Sequence, residues 1–364
     1  MEIDISYLKK FPFDSIYYEI TSYCNAQCSY CYNSSSGHGK YVPFFHIKDV
    51  IKQIFQMNPQ TSVVLSGGEP LFHPNIREIV ELVCQNHSEV TVITNAFLID
   101  KLDSRTLLEN CNIQVTIESM REELHDSIRG QGSFQNITRL QEYVPNIKHT
   151  KRILRVNLTR YNIRYIEDFM RFAVESGYTH ISFGLLAIQG RALRDENAID
   201  FEEEREICNN AIKLIKENAY RAQKNIVVEW KNCLPRTGCQ LLNKENPGMA
   251  LRIDAEGYVF PCLYFNDIDH SMGNIQTNCL QDIIKGEQFA NLLNRLLYRE
   301  SHMDSCRQCI WDKYCFKGCP ALAFSKRGKL DEKIFCQFLK ETFHDAIKLG
   351  AASMEGMKRE HDIH

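Results

Sequence analysis

The segment that decides the fold of this chain is Tyr23-Cys24-Asn25-Ala26-Gln27-Cys28-Ser29-Tyr30-Cys31-Tyr32. It places three cysteines in a short loop directly after a predicted strand at 15–21. Thiolate is the ligand that iron–sulfur clusters prefer, and a loop of this spacing can cover one face of a cubic 4Fe–4S cluster. Three thiolates leave one iron open to an external ligand, as in a catalytic metal site. Spacing alone leaves two alternatives: a zinc site completed by a histidine, or three reduced, buried cysteines.

A second motif, Ser66-Gly67-Gly68-Glu69-Pro70, follows the second predicted strand. Its glycines allow the backbone to approach a ligand closely. Backbone groups at the carboxyl end of a parallel strand can also bind a polar ligand. Taken alone, the motif is equally compatible with an ordinary turn after a strand.

Predicted strands and helices alternate, with short connections, from residue 15 to about residue 224. This alternation is typical of a parallel α/β sheet or barrel, and six strand–helix units fit. Beyond about residue 228 the chain becomes rich in cysteines and turns. We therefore predict an α/β fold: a partial (β/α)6 barrel of the TIM type followed by a small cysteine-rich α+β domain. The predicted boundaries are 1–14 for a short N-terminal lead, 15–226 for the barrel, 227–345 for the cysteine-rich domain, and 346–364 for a C-terminal helix and tail.

The composition of the 364 residues limits the class of protein. Lysine and arginine total 43 against 46 aspartates and glutamates, a net charge of −3, so no basic excess indicates nucleic-acid binding. No apolar run is long enough to span a membrane, and the N-terminus lacks the apolar segment of a signal peptide. We therefore expect a cytoplasmic protein that binds neither nucleic acid nor membrane. In that compartment the 15 cysteines are expected to bind metal rather than form disulfides.

The three-cysteine loop and the Gly-Gly-Glu-Pro loop together resemble the radical S-adenosylmethionine (SAM) enzymes, over roughly residues 15–185. The resemblance implies that Cys24, Cys28 and Cys31 hold a 4Fe–4S cluster whose open iron binds SAM. One electron from the cluster cleaves SAM to a 5′-deoxyadenosyl radical, which abstracts hydrogen from the substrate, while the protein orients the cofactor. The resemblance further implies SAM contacts beside the cysteine loop, in the glycine loop and at later strand ends: Tyr30, Tyr32, Gly67, Gly68, Glu69, Thr94, Asn95, Ser119, Arg129 and Asn157.

The C-terminal cysteines form a second pattern, with eight thiolates that are enough for two four-cysteine sites. Their spacing resembles the SPASM extension of radical SAM enzymes, which holds two auxiliary 4Fe–4S clusters. The resemblance implies three clusters in all. The implied ligands of the first auxiliary cluster are Cys233, Cys239, Cys262 and Cys319, although an open site on that cluster remains an alternative. The implied ligands of the second are Cys306, Cys309, Cys315 and Cys336.

Four cysteines and one arginine need separate interpretation. Cys84 and Cys111 lie among apolar residues and are predicted to belong to the core. Cys208 and Cys279 are candidate hydrogen-atom donors to a substrate radical, with a purely structural role as the alternative. Gly190-Arg191 follows the sixth predicted strand and resembles a Gly-Arg element of SPASM enzymes, which adds Arg191 to the implied SAM contacts. A surface ion pair is the alternative for this arginine.

Three substrate classes remain open. The first is a ribosomally synthesised peptide that receives a thioether or carbon–carbon crosslink or is epimerised. The second is a small molecule, such as an aminoglycoside-type sugar, that is oxidised or epimerised. The third, a sulfatase maturase, is disfavoured because Leu263 follows Cys262 where those enzymes have aspartate.

A non-catalytic iron–sulfur or zinc scaffold is the alternative to an enzyme, but a scaffold has no use for an open SAM site. The expected partners are a precursor peptide or small-molecule substrate and a flavodoxin- or ferredoxin-type electron donor. A separate protein that recognises a leader peptide is a further expected partner for the peptide class.

Overall fold

The computed structural model describes residues 13–86, 89–98, 110–143, 150–186, 188–196, 198–199, 205–222, 226–230, 239–242, 248–312, 315, 317–327, 336 and 340. Within these residues the fold is built on one ten-stranded sheet. Its strands are β1 Ser15–Thr21, β2 Ser62–Gly67, β3 Val90–Thr94, β4 Asn112–Thr116, β5 Arg152–Leu158, β6 His180–Leu185, β7 Val227–Trp230, β8 Ala250–Ile253, β9 Tyr258–Phe260 and β10 Gly273–Asn274.

Helices connect the strands of the first part of the chain and make up most of the last part. They are α1 Phe44–Met57, α2 Ile76–Cys84, α3 Glu122–Arg129, α4 Ser133–Tyr143, α5 Ile166–Glu175, α6 Arg205–Ala222, α7 Leu280–Lys285, α8 Glu287–His302, α9 Asp304–Arg307 and α10 Pro320–Arg327. Among the helices described, none is both long and apolar enough to cross a membrane.

The order of the strands explains why the early motifs meet. Strands β1 to β7 lie side by side in chain order, and each pairs with the next in parallel. Parallel strands joined by helices place all their carboxyl ends at one edge of the sheet. The loops after β1, β2, β3 and β4 therefore converge there, which is the edge where both sequence motifs lie.

Alternation along the strands separates a polar interior from an apolar exterior. Arg155 and Asn157 on β5 line a cavity inside the curved sheet, whereas Leu154 and Val156 between and beside them are fully buried in the core. Successive side chains of a strand point to opposite faces, so a spacing of two puts both polar residues on the inner face. The helices cover the outer face through apolar stripes at helical spacing, as in α1 with Ile47, Val50, Ile51, Ile54 and Phe55.

The C-terminal part of the chain extends the same sheet. Strand β8 pairs in parallel with β1, in a register that runs from Ser15 opposite Ala250 to Tyr18 opposite Ile253. Strands β9 and β10 then continue the sheet in antiparallel pairing. The sheet order is thus β10-β9-β8-β1 followed by β2 to β7.

The predicted fold class is confirmed, since strand–helix alternation builds a parallel α/β sheet that a smaller mixed region follows. The structure adds a strand to the six predicted, because β7 at 227–230 pairs in parallel with β6. The predicted boundary between residues 226 and 227 falls directly before this strand and remains a prediction. Most of the predicted lead, residues 1–12, and the whole predicted tail, 346–364, lie outside the described residues.

Candidate active site

A cavity of about 330 Å³ opens at the carboxyl edge of the parallel strands. All three loop cysteines line it, together with nine of the implied SAM contacts: Tyr30, Tyr32, Gly67, Gly68, Thr94, Asn95, Arg129, Asn157 and Arg191. Glu69 and Ser119 lie beside this set but do not line the cavity. The residues that two separate motifs and four strand ends contribute therefore meet in one place. Their individual roles toward SAM remain predictions.

The three thiols form a site that favours a positively charged metal core, which their thiolates would bind. The pKa of the Cys24 thiol is raised to about 11, chiefly by burial and to a smaller extent by the Glu69 carboxylate and the other two thiols. Burial also raises the pKa of Cys31, although Arg191 acts in the opposite direction. A bound metal supplies the positive charge that allows such thiols to ionise together. The chemistry of this donor set therefore fits an iron–sulfur cluster.

Gly190 and Arg191 clamp the cysteine loop from the side of β6. The Arg191 backbone N–H donates to the Cys31 carbonyl oxygen at 2.9 Å. Its side chain donates from Nε to the Cys28 carbonyl oxygen at 2.8 Å and from Nη1 to the Ser35 carbonyl oxygen at 2.9 Å. Gly190 has φ +57°, and a Cβ there would lie 2.2 Å from the Tyr32 carbonyl oxygen. The side chain therefore holds the loop that carries the thiols, which is a more specific placement than the surface ion pair left open as an alternative.

The Gly-Gly-Glu-Pro loop packs directly against the start of the cysteine loop. A Cβ on Gly67 would lie 2.1 Å from the Thr21 carbonyl oxygen, and one on Gly68 would lie 2.0 Å from that of Tyr23. The Gly68 N–H also donates to the Thr21 carbonyl oxygen at 2.7 Å. Only glycine fits at both positions, so the two motifs are parts of one packed unit.

Glu69 holds this unit to the end of β3. One carboxylate oxygen, Oε1, accepts hydrogen bonds from Leu71 N–H at 3.0 Å and Thr94 Oγ1 at 2.8 Å. The other, Oε2, accepts from Asn95 N–H at 2.7 Å. Burial raises the pKa of this carboxyl group and these bonds act against the rise. The resemblance implied that Glu69 contacts SAM, which stays a prediction, and the structure shows it joining two loops of the site.

Arg129, Tyr30 and Glu118 form a buried polar group in the wall of the cavity. Arg129 Nη1 donates to the Tyr30 hydroxyl at 2.6 Å and lies 3.3 Å from Glu118 Oε1. The Tyr30 hydroxyl donates a short hydrogen bond to the same carboxylate oxygen. Arg129 Nε and Glu118 Oε2 are both buried without a hydrogen-bond partner. A buried polar atom without a partner is costly, so Arg129 Nε is suited to a polar group of a ligand in the cavity, such as a carboxylate.

The structure also identifies site residues that the sequence did not. Glu118 comes directly before Ser119 at the end of β4, and its proximity to a predicted contact was the available signal. Ser119 instead accepts a hydrogen bond from the Arg121 N–H at 2.9 Å. On β1, Glu19 accepts from the Tyr32 hydroxyl at 2.8 Å and pairs with Arg252 Nε of β8 at 2.6 Å. This buried ion pair ties the cysteine loop to the C-terminal part of the chain.

The second set of predicted auxiliary ligands converges in the structure. Cys306, Cys309, Cys315 and Cys336 all line one small cavity of about 40 Å³. Burial raises the pKa of Cys315, and the other three thiols raise it further. Cys336 is the most distant of the four in sequence, and the fold places it next to the same cavity as the other three.

Three of the four ligands predicted for the first auxiliary cluster also interact. Burial raises the pKa of the Cys239 thiol well above its usual range, and the thiols of Cys319 and Cys262 add to the rise. Cys233 lies outside the described residues. Within the part of the chain that the structure describes, no group of His, Cys, Asp or Glu side chains has the arrangement of a site for a single metal ion.

The remaining cysteines lie away from the cavity. Cys111 is fully buried in the main core, as predicted, whereas Cys84 is partly exposed at the edge of that core. Cys208 is fully buried on α6, and Cys279 is exposed at the start of α7. Neither lines the cavity, so the structure does not bring these two candidate hydrogen donors to the cysteine loop. Their role as donors remains a prediction.

Comparison with known proteins agrees with this geometry. Residues 18–173 match the family model of the radical SAM superfamily, and residues 245–310 match that of the SPASM iron–sulfur cluster-binding domain. The chain is 25% identical over 344 residues to AlbA of Bacillus subtilis, a protein of antilisterial bacteriocin subtilosin biosynthesis, which covers 91% of this chain and 72% of AlbA. It is 24% identical over 358 residues to the AdoMet-dependent heme synthase of Methanosarcina barkeri, which covers 88% of this chain and 95% of that protein.

Among solved structures, Streptococcus suis SuiB bound to its precursor peptide SuiA has a TM-score of 0.69 at 15% identity. The superposition covers 90% of this chain and 77% of SuiB, and it shows a shared fold. The two matched domain models agree with two features of the structure. One is the cavity that the three-cysteine loop lines, and the other is the converging set of C-terminal thiols. Residues 18–173 thus form a radical SAM domain, and residues 245–310 form an iron–sulfur cluster-binding SPASM domain.

Proposed function

We propose that this radical SAM enzyme modifies a ribosomally synthesised peptide, by a thioether or carbon–carbon crosslink or by epimerisation. The observation that carries the proposal is the similarity to AlbA, which extends over 91% of the chain and so includes both domains. The likeness of the fold to SuiB, which was solved with a precursor peptide bound, is consistent with it. We further propose that the enzyme acts in the cytoplasm with a flavodoxin- or ferredoxin-type electron donor, and with a separate protein that recognises the leader.

The cavity residues provide binding, orientation and exclusion of water. When bound, the 4Fe–4S cluster and SAM supply one-electron cleavage of SAM and abstraction of a hydrogen atom from the substrate. Cys24, Cys28 and Cys31 would hold the cluster, and Arg191 keeps their loop in place through three carbonyl oxygens. Arg129 Nε would bind a carboxylate, a charge-assisted bond stronger than one between neutral groups.

The C-terminal domain contributes directly to the cavity. Leu263 and Tyr264 line it and follow Cys262, a proposed ligand of the first auxiliary cluster. Gln189 donates a short hydrogen bond to the Tyr264 carbonyl oxygen and so holds this segment to the strand end of β6. We propose that both auxiliary clusters are present, giving three clusters. Cys262 would hold the first of them, which would supply an electron acceptor for the substrate radical. Cys262 directly precedes Leu263, which lines the cavity, and this position supports the role.

The lining of the cavity argues against a sulfatase-maturase mechanism. None of the described residues that line it is Asp or Glu. Leu263 occupies the position at which sulfatase maturases have an aspartate. The next carboxylate along the chain, Asp267, is exposed and caps the short helix Ile268–His270 through a hydrogen bond from Asp269 N–H.

A small-molecule substrate is the second candidate, and the similarity to the heme synthase over 88% of the chain favours it. Mass spectrometry after anaerobic incubation with SAM, dithionite and short peptides encoded beside the gene separates the two. A crosslinked peptide would be lighter by two hydrogen atoms, and an epimerised one would keep its mass but take up deuterium from heavy water. Cys24→Ala/Cys28→Ala/Cys31→Ala should abolish the product, and Cys84→Ala is the matched control. Formation of 5′-deoxyadenosine with every peptide left unchanged would refute the peptide proposal.

A further inference from the structure

Arg299 is an unusual side chain in the core of the C-terminal region. It lies on the apolar face of α8, one helical turn after Leu296 and two turns after Leu292, and is only 1% exposed. Among the residues that the structure describes, it is the largest fully buried side chain. A buried guanidinium is costly unless nearby negative charge compensates it. The burial of Arg299 must therefore be explained by the charged groups around it.

The groups around Arg299 are the proposed ligands of both auxiliary clusters. Its Nη2 donates to the carbonyl oxygen of Lys317 at 2.8 Å, in the short segment between Cys315 and Cys319. Burial lowers the pKa of Arg299, and the Cys319 thiol, the Glu300 carboxylate and the thiols of Cys306 and Cys239 act in the opposite direction. Cys239 and Cys319 belong to the first proposed site and Cys306 to the second. Cys315 belongs to the second site as well, so the guanidinium binds the backbone that joins a proposed ligand of one site to a proposed ligand of the other.

The other charged groups nearby are engaged with one another. Lys317 Nζ lies 3.1 Å from Asp312 Oδ1 and donates to the Glu300 carbonyl oxygen at 2.7 Å.

A four-thiolate 4Fe–4S cluster is negatively charged, and reduction by one electron makes it more so. Net charge, hydrogen bonds and burial are the features that set the reduction potential of such clusters. A fixed cation in a low-dielectric interior stabilises the more negative, reduced state. Arginine keeps its proton at any pH at which the protein is folded, so reduction next to it changes the electron count alone.

We propose that Arg299 is a positioning residue that raises the reduction potential of both auxiliary clusters at once. The inference rests on the proposed set of three clusters. Each auxiliary cluster gains one electron on reduction, and no proton moves. Removal of the charge should therefore lower the potential of both clusters together and leave the cluster at the three-cysteine loop unchanged.

The test uses the full-length protein with clusters reconstituted anaerobically, in the wild type and in three variants. Arg299→Met removes the charge at similar length, and Arg299→Lys keeps it. Arg295→Met removes an exposed arginine one turn earlier on α8 and is the matched control. Iron content per chain and a dithionite titration followed by electron paramagnetic resonance are measured for each.

For Arg299→Met we expect the equilibrium constant for one-electron reduction of both auxiliary clusters to fall at least about tenfold, a midpoint shift of about 59 mV. Arg299→Lys and Arg295→Met should keep wild-type potentials. If Arg299→Met holds all three clusters with unchanged potentials, or if only one auxiliary cluster shifts, the inference fails and the cofactor proposal stands. If the wild type holds iron for one cluster only, the cofactor proposal fails and the inference with it.

A variant that does not hold iron still gives a result. If Arg299→Met loses its auxiliary clusters, Arg299→Lys shows whether the charge of Arg299 or the shape of its guanidinium is responsible. Retention of both clusters at wild-type potentials supports a role for the charge. Loss of the clusters in Arg299→Lys as well would show that the shape and hydrogen bonds of the guanidinium matter, and it would overturn the inference.

Discussion

Gly190 joins two parts of the active site, and its replacement by alanine tests how firmly they are held. Its φ of +57° is in the left-handed region, and an added Cβ would lie 2.2 Å from the Tyr32 carbonyl oxygen and 2.5 Å from that of Cys31. The left-handed conformation costs an alanine about 1–2 kcal/mol, and overpacking adds about 1–3 kcal/mol. Gly190→Ala should therefore weaken the clamp on the cysteine loop by about 2–5 kcal/mol. About 1.4 kcal/mol is a tenfold change in an equilibrium constant, so the lower limit of about 2 kcal/mol raises the equilibrium constant for opening of the loop roughly 30-fold.

The assay follows the transfer of iron from the reconstituted protein to a chelator. Iron leaves the three-cysteine site when its loop opens locally, and local opening has its own free energy. The rate at which iron leaves the three-cysteine site should rise roughly 30-fold or more in Gly190→Ala. Gly132→Ala is the matched control, because Gly132 also has positive φ (+79°) but has nothing within 4 Å of an added Cβ.

Gly132→Ala should lower the free energy of unfolding by about 1–2 kcal/mol without accelerating the loss of iron. Gly37→Ala also meets nothing within 4 Å, and its effect should stay within about 0.5 kcal/mol. If Gly190→Ala releases iron no faster than Gly132→Ala, the interpretation of Gly190 and Arg191 as a clamp is wrong.

Three further predictions concern charge and cluster content. Glu118→Gln leaves Arg129 buried without its carboxylate, so we expect the free energy of unfolding in urea to fall by about 3–5 kcal/mol. The dissociation constant for SAM, measured by calorimetry, should change as well. An unchanged stability would contradict the pairing of these two residues. Burial raises the pKa of Asp254 to about 6. Between about pH 4, the pKa of an unfolded aspartate, and pH 6, the folded protein holds more protons than the unfolded chain. The free energy of unfolding should therefore fall by about 1–3 kcal/mol as pH rises from about 4 to 6. Asp254→Asn should flatten that profile, and a slope that persists would identify another group. Cys306→Ser/Cys315→Ser should reduce an iron content of about twelve atoms per chain by about four while 5′-deoxyadenosine still forms; retention of all the iron would exclude the second auxiliary site.

The sequence predicted the parts of the site that depend on covalent spacing. The three loop cysteines and the glycines at 67 and 68 are close in the chain and act as units, so their pattern was sufficient. Arg129 and Asn157 were implied by the resemblance to the family, and the structure places both in the lining of the cavity. The convergence of Cys336 with Cys306, Cys309 and Cys315 followed from resemblance and agrees with the structure.

Long-range polar pairs were not predictable in this way. The ion pair between Glu19 and Arg252 joins residues on β1 and β8, and nothing in either local sequence indicates the partner. Glu69 appeared as a ligand-binding group, but its two oxygens accept hydrogen bonds from the protein. Arg299 looks like an ordinary residue of an amphipathic helix until its neighbours are known. In each case the tertiary fold determines the role, because the partners come from distant elements.

The pairing of β8 with β1 has a consequence for how the chain is made. Ser15 pairs with Ala250, so β1 leaves the ribosome 235 residues before the neighbour that pairs with it on this side. At about 5–20 residues per second, that interval is roughly 12–47 s. During it, one edge of β1 carries unpaired backbone groups, which is the kind of edge that templates aggregation. Translation speed and chaperone access are therefore expected to affect the yield of this enzyme, and a radical SAM domain expressed without the C-terminal region should aggregate even where its own core is complete.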